Sequence, residues 1–397
     1  MKSDSETFVL RGARLVLPDA SIEAELLVEA GRIRRIFERG AVHSQLTGEA
    51  LNLDGLTLFP GFIDVHIHGA TGVDVMEASP DDLQRVSCFL ARHGVTAWLP
   101  TLVPAPDEDY ARAVNSIGAL MNDQAKRQTA ARVLGLHYEG PFVSERQCGA
   151  LRTKYFRTFS ETSALDFLRT VEFDNAKHMI TLAPEVKGGI PLVRELRKRG
   201  FVVAIGHTCA DAEVLDRACA AGASHMTHFM NAMSPLHHRT LGAVGWGLMR
   251  DDVTCDVIAD GVHVAPLMLQ LIMRCKTAER IALISDSVAP TGLGDGEYRM
   301  WDETIKVEAG RTSNEAGSIA GSVITMADAA RTMRKIGASD QDIARMASFN
   351  PARLLGVEGE CGTIEEGKRA DLVALDAEGN VRLTIISGSV AFDGRQK

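Results

Sequence analysis

The sequence predicts an α/β protein: a (β/α)8 barrel of the TIM type, with a small β-sandwich domain built from both termini. Three observations carry this reading. Between residues 58 and 359, short apolar runs alternate with helical stretches, and eight such runs can be assigned as strands. The two ends, 1–57 and 360–397, carry brief β-rich runs separated by turn residues. Most of the eight apolar runs also finish on or beside a His or an acid, and the strand C-termini of a parallel barrel share one mouth. A doubly wound open sheet shows the same alternation, and periodicity alone does not separate the two.

In chain order, 8–17, 24–29 and 32–37 read as the first strands of the small domain, broken at Pro18-Asp19 and Ala30-Gly31. The barrel strands are expected at 58–68, 95–103, 132–139, 179–184, 202–207, 225–231, 253–259 and 280–286. Ser79-Pro80 opens a helix, with Ser as cap and Pro at the first helical position, and Gly94 is placed to end it. Residues 190–199, 212–221 and 266–276 show helical spacing of apolar side chains. The runs 370–376, 382–387 and 390–392 return to the short-strand pattern, with turns at Glu378-Gly379-Asn380 and Ser387-Gly388-Ser389.

Composition removes several function classes. The chain has 397 residues and a formal net charge of −9, without a long basic run, which argues against nucleic acid or an anionic membrane surface as partner. No apolar stretch is long enough to span a bilayer, and the polar, acidic start is unlike a secretory signal. The 7 cysteines are odd in number and scattered, with no Cys-x-x-Cys pair, as expected of reduced thiols in a cytoplasmic protein.

The chemistry-bearing residues are His66, His68, Glu139, His207, His228 and Asp286 at the strand ends, and His263 just beyond the seventh strand. On a strand, His66 and His68 point to the same side and can reach one ion, although two loop histidines bonded to backbone would show the same spacing. Glu139 ends an apolar run, where a bare carboxylate is costly unless a cation or metal faces it; a salt-bridged or capping Glu is the plainer alternative. His207 and His228 are ambiguous singly. With Glu139 they compose a three-ligand site of the kind that leaves a position open for water. Asp286 would stand beside that site as a proton acceptor and donor.

These residues lie in longer motifs. The segments are Pro60-Gly61-Phe62-Ile63-Asp64-Val65-His66-Ile67-His68-Gly69, Leu136-His137-Tyr138-Glu139-Gly140-Pro141-Phe142, Gly206-His207-Thr208 and Thr227-His228-Phe229-Met230-Asn231-Ala232-Met233. Further on come Ile258-Ala259-Asp260-Gly261-Val262-His263, Ser285-Asp286, Ile319-Ala320-Gly321-Ser322 and a tail from Gly362 to Leu372. In these motifs the chain resembles the amidohydrolase superfamily nearly end to end. The Glu-Gly-Pro step and the His-x-x-Asn-Ala-Met block resemble its branch that deacetylates phosphorylated amino sugars.

That resemblance implies a main metal on Glu139, His207 and His228, and a second on His66 and His68 with Glu139 as bridge. The cofactor would be one or two divalent ions per subunit, Zn²⁺ ahead of Fe²⁺. Asp286 would be the general acid/base and His263 would orient substrate. Substrate contacts are implied for Ala150, Asn231, Ala232, Arg239, His263, Ile319, Ala320 and Gly321. Arg239 would reach the sugar phosphate bound to a neighbouring subunit, making the partner a second copy of the chain. The implied reaction is removal of acetate from N-acetyl-D-glucosamine 6-phosphate in amino-sugar catabolism or recycling; the galacto epimer or another N-acyl amine is the alternative. The family usually has a His where this chain has Leu151, after Gly149-Ala150.

Overall fold

In the computed structural model, which describes residues 7–38, 49–126, 129–171, 173, 175–301 and 303–395, two sheets organise the chain. The barrel strands are β1 (Phe62–Ile67), β2 (Val95–Leu102), β3 (Gly135–Glu139), β4 (Lys177–Leu182), β5 (Val202–Ile205), β6 (His225–Met226), β7 (Thr254–Ile258) and β8 (Ile281–Ile284). Each pairs in parallel with the next. These strands are buried along almost their whole length, as expected of a sheet covered on both faces.

The barrel closes differently at the seam between β8 and β1, where the described residues form no ladder. At the mouth, the Asp286 N–H donates to His66 O at 2.9 Å and the His68 N–H to Ser287 O at 2.8 Å. Within the barrel, the Ser285 hydroxyl donates to Asp64 Oδ2 at 2.5 Å. Burial pushes the Asp64 carboxyl up to about 6, against the opposing bonds from Ser285. Lower down, the segment 345–354 fills the gap: Ser348 Oγ donates to Pro60 O at 3.1 Å, and Asn350 Nδ2 to Ile281 O at 2.6 Å.

The helix Pro80–Arg92 starts as its sequence predicts, with a reciprocal capping box between Ser79 and Asp82. The helices Gly189–Lys198, Ala212–Ala221 and Pro266–Lys276 also lie where expected. Three others go beyond the expectation: Asp107–Gln124, Gly242–Met249 and Met326–Lys335. Among the described residues, the connection from β3 to β4 carries short 3-10 turns at Glu145–Gln147, Thr153–Tyr155 and Thr162–Leu165 and no longer helix. An antiparallel insert, Gly296–Met300, Glu303–Glu308 and Arg311–Ser313, follows β8 and was not foreseen. Among the described residues, no helix is long and apolar enough to cross a membrane.

Three strand boundaries are corrected: the run 132–139 is Arg132–Val133 and Gly135–Glu139, both pairing with β2. The run 58–68 is two strands: Thr57–Pro60 pairs with Arg14–Val16 and Leu372–Leu375 in the terminal sheet, and the chain enters the barrel only after Gly61. The run 225–231 is a strand only at His225–Met226, because the backbone leaves the ladder once His228 and Met230 take left-handed φ values of 33° and 79°.

Among the described residues the terminal sheet has nine strands, six from residues 8–60 and three from residues 372–393. Its long strand Ser21–Glu29 serves both halves, pairing with Arg14–Val16 at one end and with Phe8–Arg11 and Arg32–Glu38 further along. The sheet thereby folds over a core that includes Leu10, Leu15, Leu26, Leu58, Leu372 and Ile385. Arg132, in the barrel wall, meets Asp371 of the tail motif in an ion pair with both side chains under 10% exposed, and the Gly61 N–H donates to Asp371 O at 2.8 Å.

This pair makes a stability prediction. Asp371→Ala leaves the Arg132 guanidinium buried and uncompensated, costing about 3–5 kcal/mol. The double replacement Arg132→Met/Asp371→Leu restores most of that loss. Chemical denaturation of the two variants checks it, and equal destabilisation in both would contradict it.

Candidate metal centre

The site is built where the strands run out. Glu139 is the last residue of β3, His66 is next to last in β1, and His68 follows just after. His207, His228 and Asp286 each come two residues after β5, β6 and β8 and share an unusual backbone, with φ of 48°, 33° and 50°. Left-handed φ at a non-glycine residue costs about 1–3 kcal/mol and persists only where the surroundings impose it. Here it turns three side chains out of the ladder and into the mouth.

The surroundings are visible. The His228 N–H donates to the buried carboxylate of Asp256, on β7. Asp286 is tied through its N–H to His66 O, and its carbonyl accepts from the Ser322 N–H at 2.8 Å. Gly206 makes room: a Cβ there would lie 2.7 Å from Thr181 Cγ2 and 3.2 Å from Thr227 Cβ. This explains why His207 follows a glycine.

Six side chains converge. Glu139 Oε1 lies 3.0 Å from both His207 Nε2 and His228 Nε2, which are 3.1 Å apart. The other carboxylate oxygen, Oε2, lies 3.3 Å from His68 Nε2. His66 Nε2 is 3.6 Å from Glu139 Oε1 and 3.2 Å from His68 Nε2. Asp286 Oδ1 faces that pair, 3.4 Å from His66 Nε2 and 3.2 Å from His68 Nε2. The atoms form two potential ligand groups that share Glu139, one with His207 and His228, the other with His66 and His68.

The donor chemistry suits a cation. His207 Nδ1 donates to Gln147 O at 2.7 Å, so in the neutral ring Nε2 aims a lone pair at a carboxylate oxygen and at a second imidazole. Such a triangle repels unless a proton or metal occupies it. Edges of 3.0–3.1 Å approach the value of about 3.3 Å for a tetrahedron with metal–ligand bonds near 2.0 Å.

Without a metal, protons take its place. Burial pulls His68 and His228 down, but hydrogen bonds and charge from Glu139, with Asp286, outweigh it; His68 rises to about 10 and His228 to about 9. Burial pushes the Glu139 carboxyl up, yet His66 and the bonds from His207 and His228 hold it well below the carboxylate range. Asp286 is lowered for the same reason, burial being outweighed by His66 and His68.

Several supporting residues escape sequence reasoning. His137, two before Glu139 on the same face of β3, packs edge-on against His66 with ring centres 4.6 Å apart. Its Nε2 lies 2.8 Å from Thr181 Oγ1, which lies 2.6 Å from Thr227 Oγ1, and burial followed by His66 keeps His137 well below its usual pKa. The period-2 spacing of His137 and Glu139 was a usable signal. Asp260 was another: it accepts from the His263 N–H at 2.8 Å and lies 2.6 Å from His263 Nδ1. Nothing in the sequence marks Trp301, whose ring meets His68 edge-on at 5.6 Å.

The remaining expected residues divide. Asn231 Nδ2 donates to His228 O at 3.1 Å, and Ala232 O accepts from the Thr208 N–H at 3.1 Å, so both adjoin the ligand loops. Ile319, Ala320 and Gly321 immediately precede Ser322, the residue bonded to Asp286 O. Ala150 packs against a buried cluster that includes Ala320, and Leu151 is buried. Arg239 is apart: it lies on an exposed loop, and its guanidinium makes no hydrogen bond or ion pair among the described residues.

Comparison with known proteins gives a consistent result. The model of the amidohydrolase family matches residues 57–391. The chain is 36% identical to the N-acetylglucosamine-6-phosphate deacetylase of Bacillus subtilis over 342 residues, 85% of each protein. It is 35% identical to the N-acetylgalactosamine-6-phosphate deacetylase of Escherichia coli O157:H7, over 97% of this chain and 99% of that one. Among solved structures, the N-acetylglucosamine-6-phosphate deacetylase of Pasteurella multocida aligns with a TM-score of 0.88 at 29% identity, over 97% of this chain and 99% of that one. A mutant of the Mycobacterium smegmatis enzyme in complex with N-acetyl-D-glucosamine-6-phosphate aligns with a TM-score of 0.86 at 30% identity, over the same shares.

The raised imidazoles make metal loading a competition with protons. Because His68 and His228 hold protons up to about 10 and about 9, affinity for a divalent ion increases as pH rises from 6 to 8, about tenfold per unit for each proton displaced. Calorimetric titration of metal-free protein in buffers of different ionisation enthalpy measures the protons released. A pH-independent affinity would contradict the assignment.

Proposed function

This chain belongs to the amidohydrolase family, and from that premise we propose that it hydrolyses the acetamido group of N-acetyl-D-glucosamine 6-phosphate, giving acetate and D-glucosamine 6-phosphate. The observation that carries this reading is the Glu139, His207 and His228 group standing beside Asp286 at one barrel rim. Relatives with this activity align nearly end to end.

Glu139, His207 and His228 would hold the main ion, and His66 and His68 a second. Zn²⁺ suits a carboxylate and imidazole set, with Fe²⁺ the next choice. A bound ion supplies Lewis acidity to the amide carbonyl and to the attacking water. Asp286 does the proton work: its carboxylate takes a proton from the water and returns it to the amine nitrogen, which leaves poorly unless protonated. Asp260 fixes His263 as the Nδ1–H tautomer, so that Nε2 is presented to substrate. Asn231, Ala232, Ala150 and the segment 319–321 would line the sugar.

Arg239 would grip phosphate in the site of a second copy, since paired guanidinium donors match phosphate oxygens. Leu236, Leu241, Val262, Leu267 and Met268 are exposed apolar side chains on this loop and on neighbouring segments, a surface suited to a homodimer. The galacto epimer is the second reading, favoured by the relative from E. coli O157:H7. We place the protein in the cytoplasm, where reduced thiols and a phosphorylated substrate are both at home.

Acetate release tests the activity directly. The 6-phosphates of both N-acetylhexosamines should outpace their unphosphorylated forms by orders of magnitude, and equal rates would end the sugar-phosphate reading. Asp286→Asn should lower kcat by about 10²–10⁴-fold while the protein still loads metal.

The shared site has its own signature. Arg239→Ala raises KM sharply, and mixing it with Asp286→Asn after subunit exchange recovers about a quarter of wild-type activity, because half of the random dimers then hold one intact site. No recovery on mixing would place Arg239 outside the neighbouring site.

A further inference from the structure

At the end of the barrel opposite the metal cluster, the beginnings of β6, β7 and β8 and the helix Asn350–Leu354 enclose a cavity of about 470 Å³. That volume lies within the range of small-molecule sites, about 300–1,000 Å³. Its charges do not cancel locally. Of its acids, Glu279 is held by Arg345, and Asp252 takes two bonds of 2.7 Å from Arg250. The third, Asp251, has a side chain 82% exposed.

The two guanidiniums in the lining are less engaged. Arg280 donates through Nε to the carbonyl of Asp251 and lies 3.8 Å from that carboxylate. Arg353 gives one N–H to Glu279 O at 2.9 Å and forms no ion pair among the described residues. That carbonyl belongs to the residue before Arg280, which brings the two side chains to one wall. Asn350 turns its amide protons to Ala278 O and Ile281 O, both at 2.6 Å, and leaves Oδ1 buried without a partner.

We propose that this basal cavity is a second anion site, distinct from the metal cluster, which binds the phosphate of a phosphorylated small molecule or free phosphate. Two guanidiniums with unused paired donors match phosphate oxygens, and Asn350 Oδ1 can accept from a hydroxyl of the ligand. The floor also touches the catalytic scaffold. His225 Nδ1 lies 2.7 Å from Thr254 Oγ1, and its Nε2 lies 3.1 Å from Asp256 Oδ2, whose other oxygen accepts the His228 N–H.

The test counts sites by calorimetric titration of the metal-loaded protein, first with inorganic phosphate and then with glucose 6-phosphate, which has no acetamido group to hydrolyse. The double variant Arg280→Ala/Arg353→Ala should bind one phosphate fewer per chain than wild type, with kcat/KM for acetate release within twofold. The difference of one site is expected whether or not the metal mouth also takes phosphate, so it stands apart from the proposed activity. Glucose 6-phosphate binding at least tenfold tighter at this site identifies a phosphorylated sugar as occupant; equal affinity identifies free phosphate. The same number of sites with the same affinities in wild type and double variant would overturn the proposal.

Discussion

A carboxylate stripped of water sets the terms for the rest of the molecule. Glu139 is 4% exposed at the end of a strand with no buried neighbour of its own polarity except His137 and the groups aimed at it from other strands. Isolated, it would have to take up a proton or unfold its surroundings. It stays ionised because four imidazoles from three separate stretches of chain face it within 3.6 Å. A closed ring of parallel strands is what brings those stretches together, and the strained φ values at His207, His228 and Asp286 are where that requirement is met locally.

The sequence made the barrel strands and the ligands legible for one reason. Both are written in short-range pattern: an apolar run with a polar residue at its end. Glu139 stood out as a carboxylate ending an apolar run, and the His66/His68 pair by period-2 alternation. The terminal sheet was legible as short strands, but its reach into residues 57–60 was not, because only Gly61 stands between Thr57–Pro60 and Phe62–Ile67. The pairings of Thr57–Pro60 with Arg14–Val16 and with Leu372–Leu375, over 300 residues away, separate them. Helix Gly242–Met249 was hidden for the opposite reason: it is apolar on nearly every side and offers no amphipathic stripe.

What sequence pattern could not supply was the support behind each ligand. Gln147 reaches His207 through a backbone carbonyl, and any residue could provide that contact. Asp256 holds His228 from a neighbouring strand 28 positions on. The seam bond from Ser285 to Asp64 spans 221 positions and joins the first and last strands. Contacts of this kind depend on which strand ends up beside which, and so become readable only once the ring is closed. Arg239 is the reverse case, readable from its motif and left without a contact inside one chain.

The two ligand groups are not equivalent, and Asp286 shows why. Its Oδ1 stands within 3.4 Å of both His66 and His68, whereas no contact of that kind links it to His207 or His228. A cation held by His66 and His68 would therefore share its shell with Asp286 and draw down the basicity that proton transfer needs. A cation held by Glu139, His207 and His228 leaves Asp286 beside the site with its lone pairs available. His68, whose proton is held up to about 10, would keep Asp286 ionised and oriented without consuming it as a ligand. On the proposed reading, the ion on Glu139, His207 and His228 would serve the chemistry, and His66 and His68, with or without an ion of their own, would orient the Asp286 carboxylate.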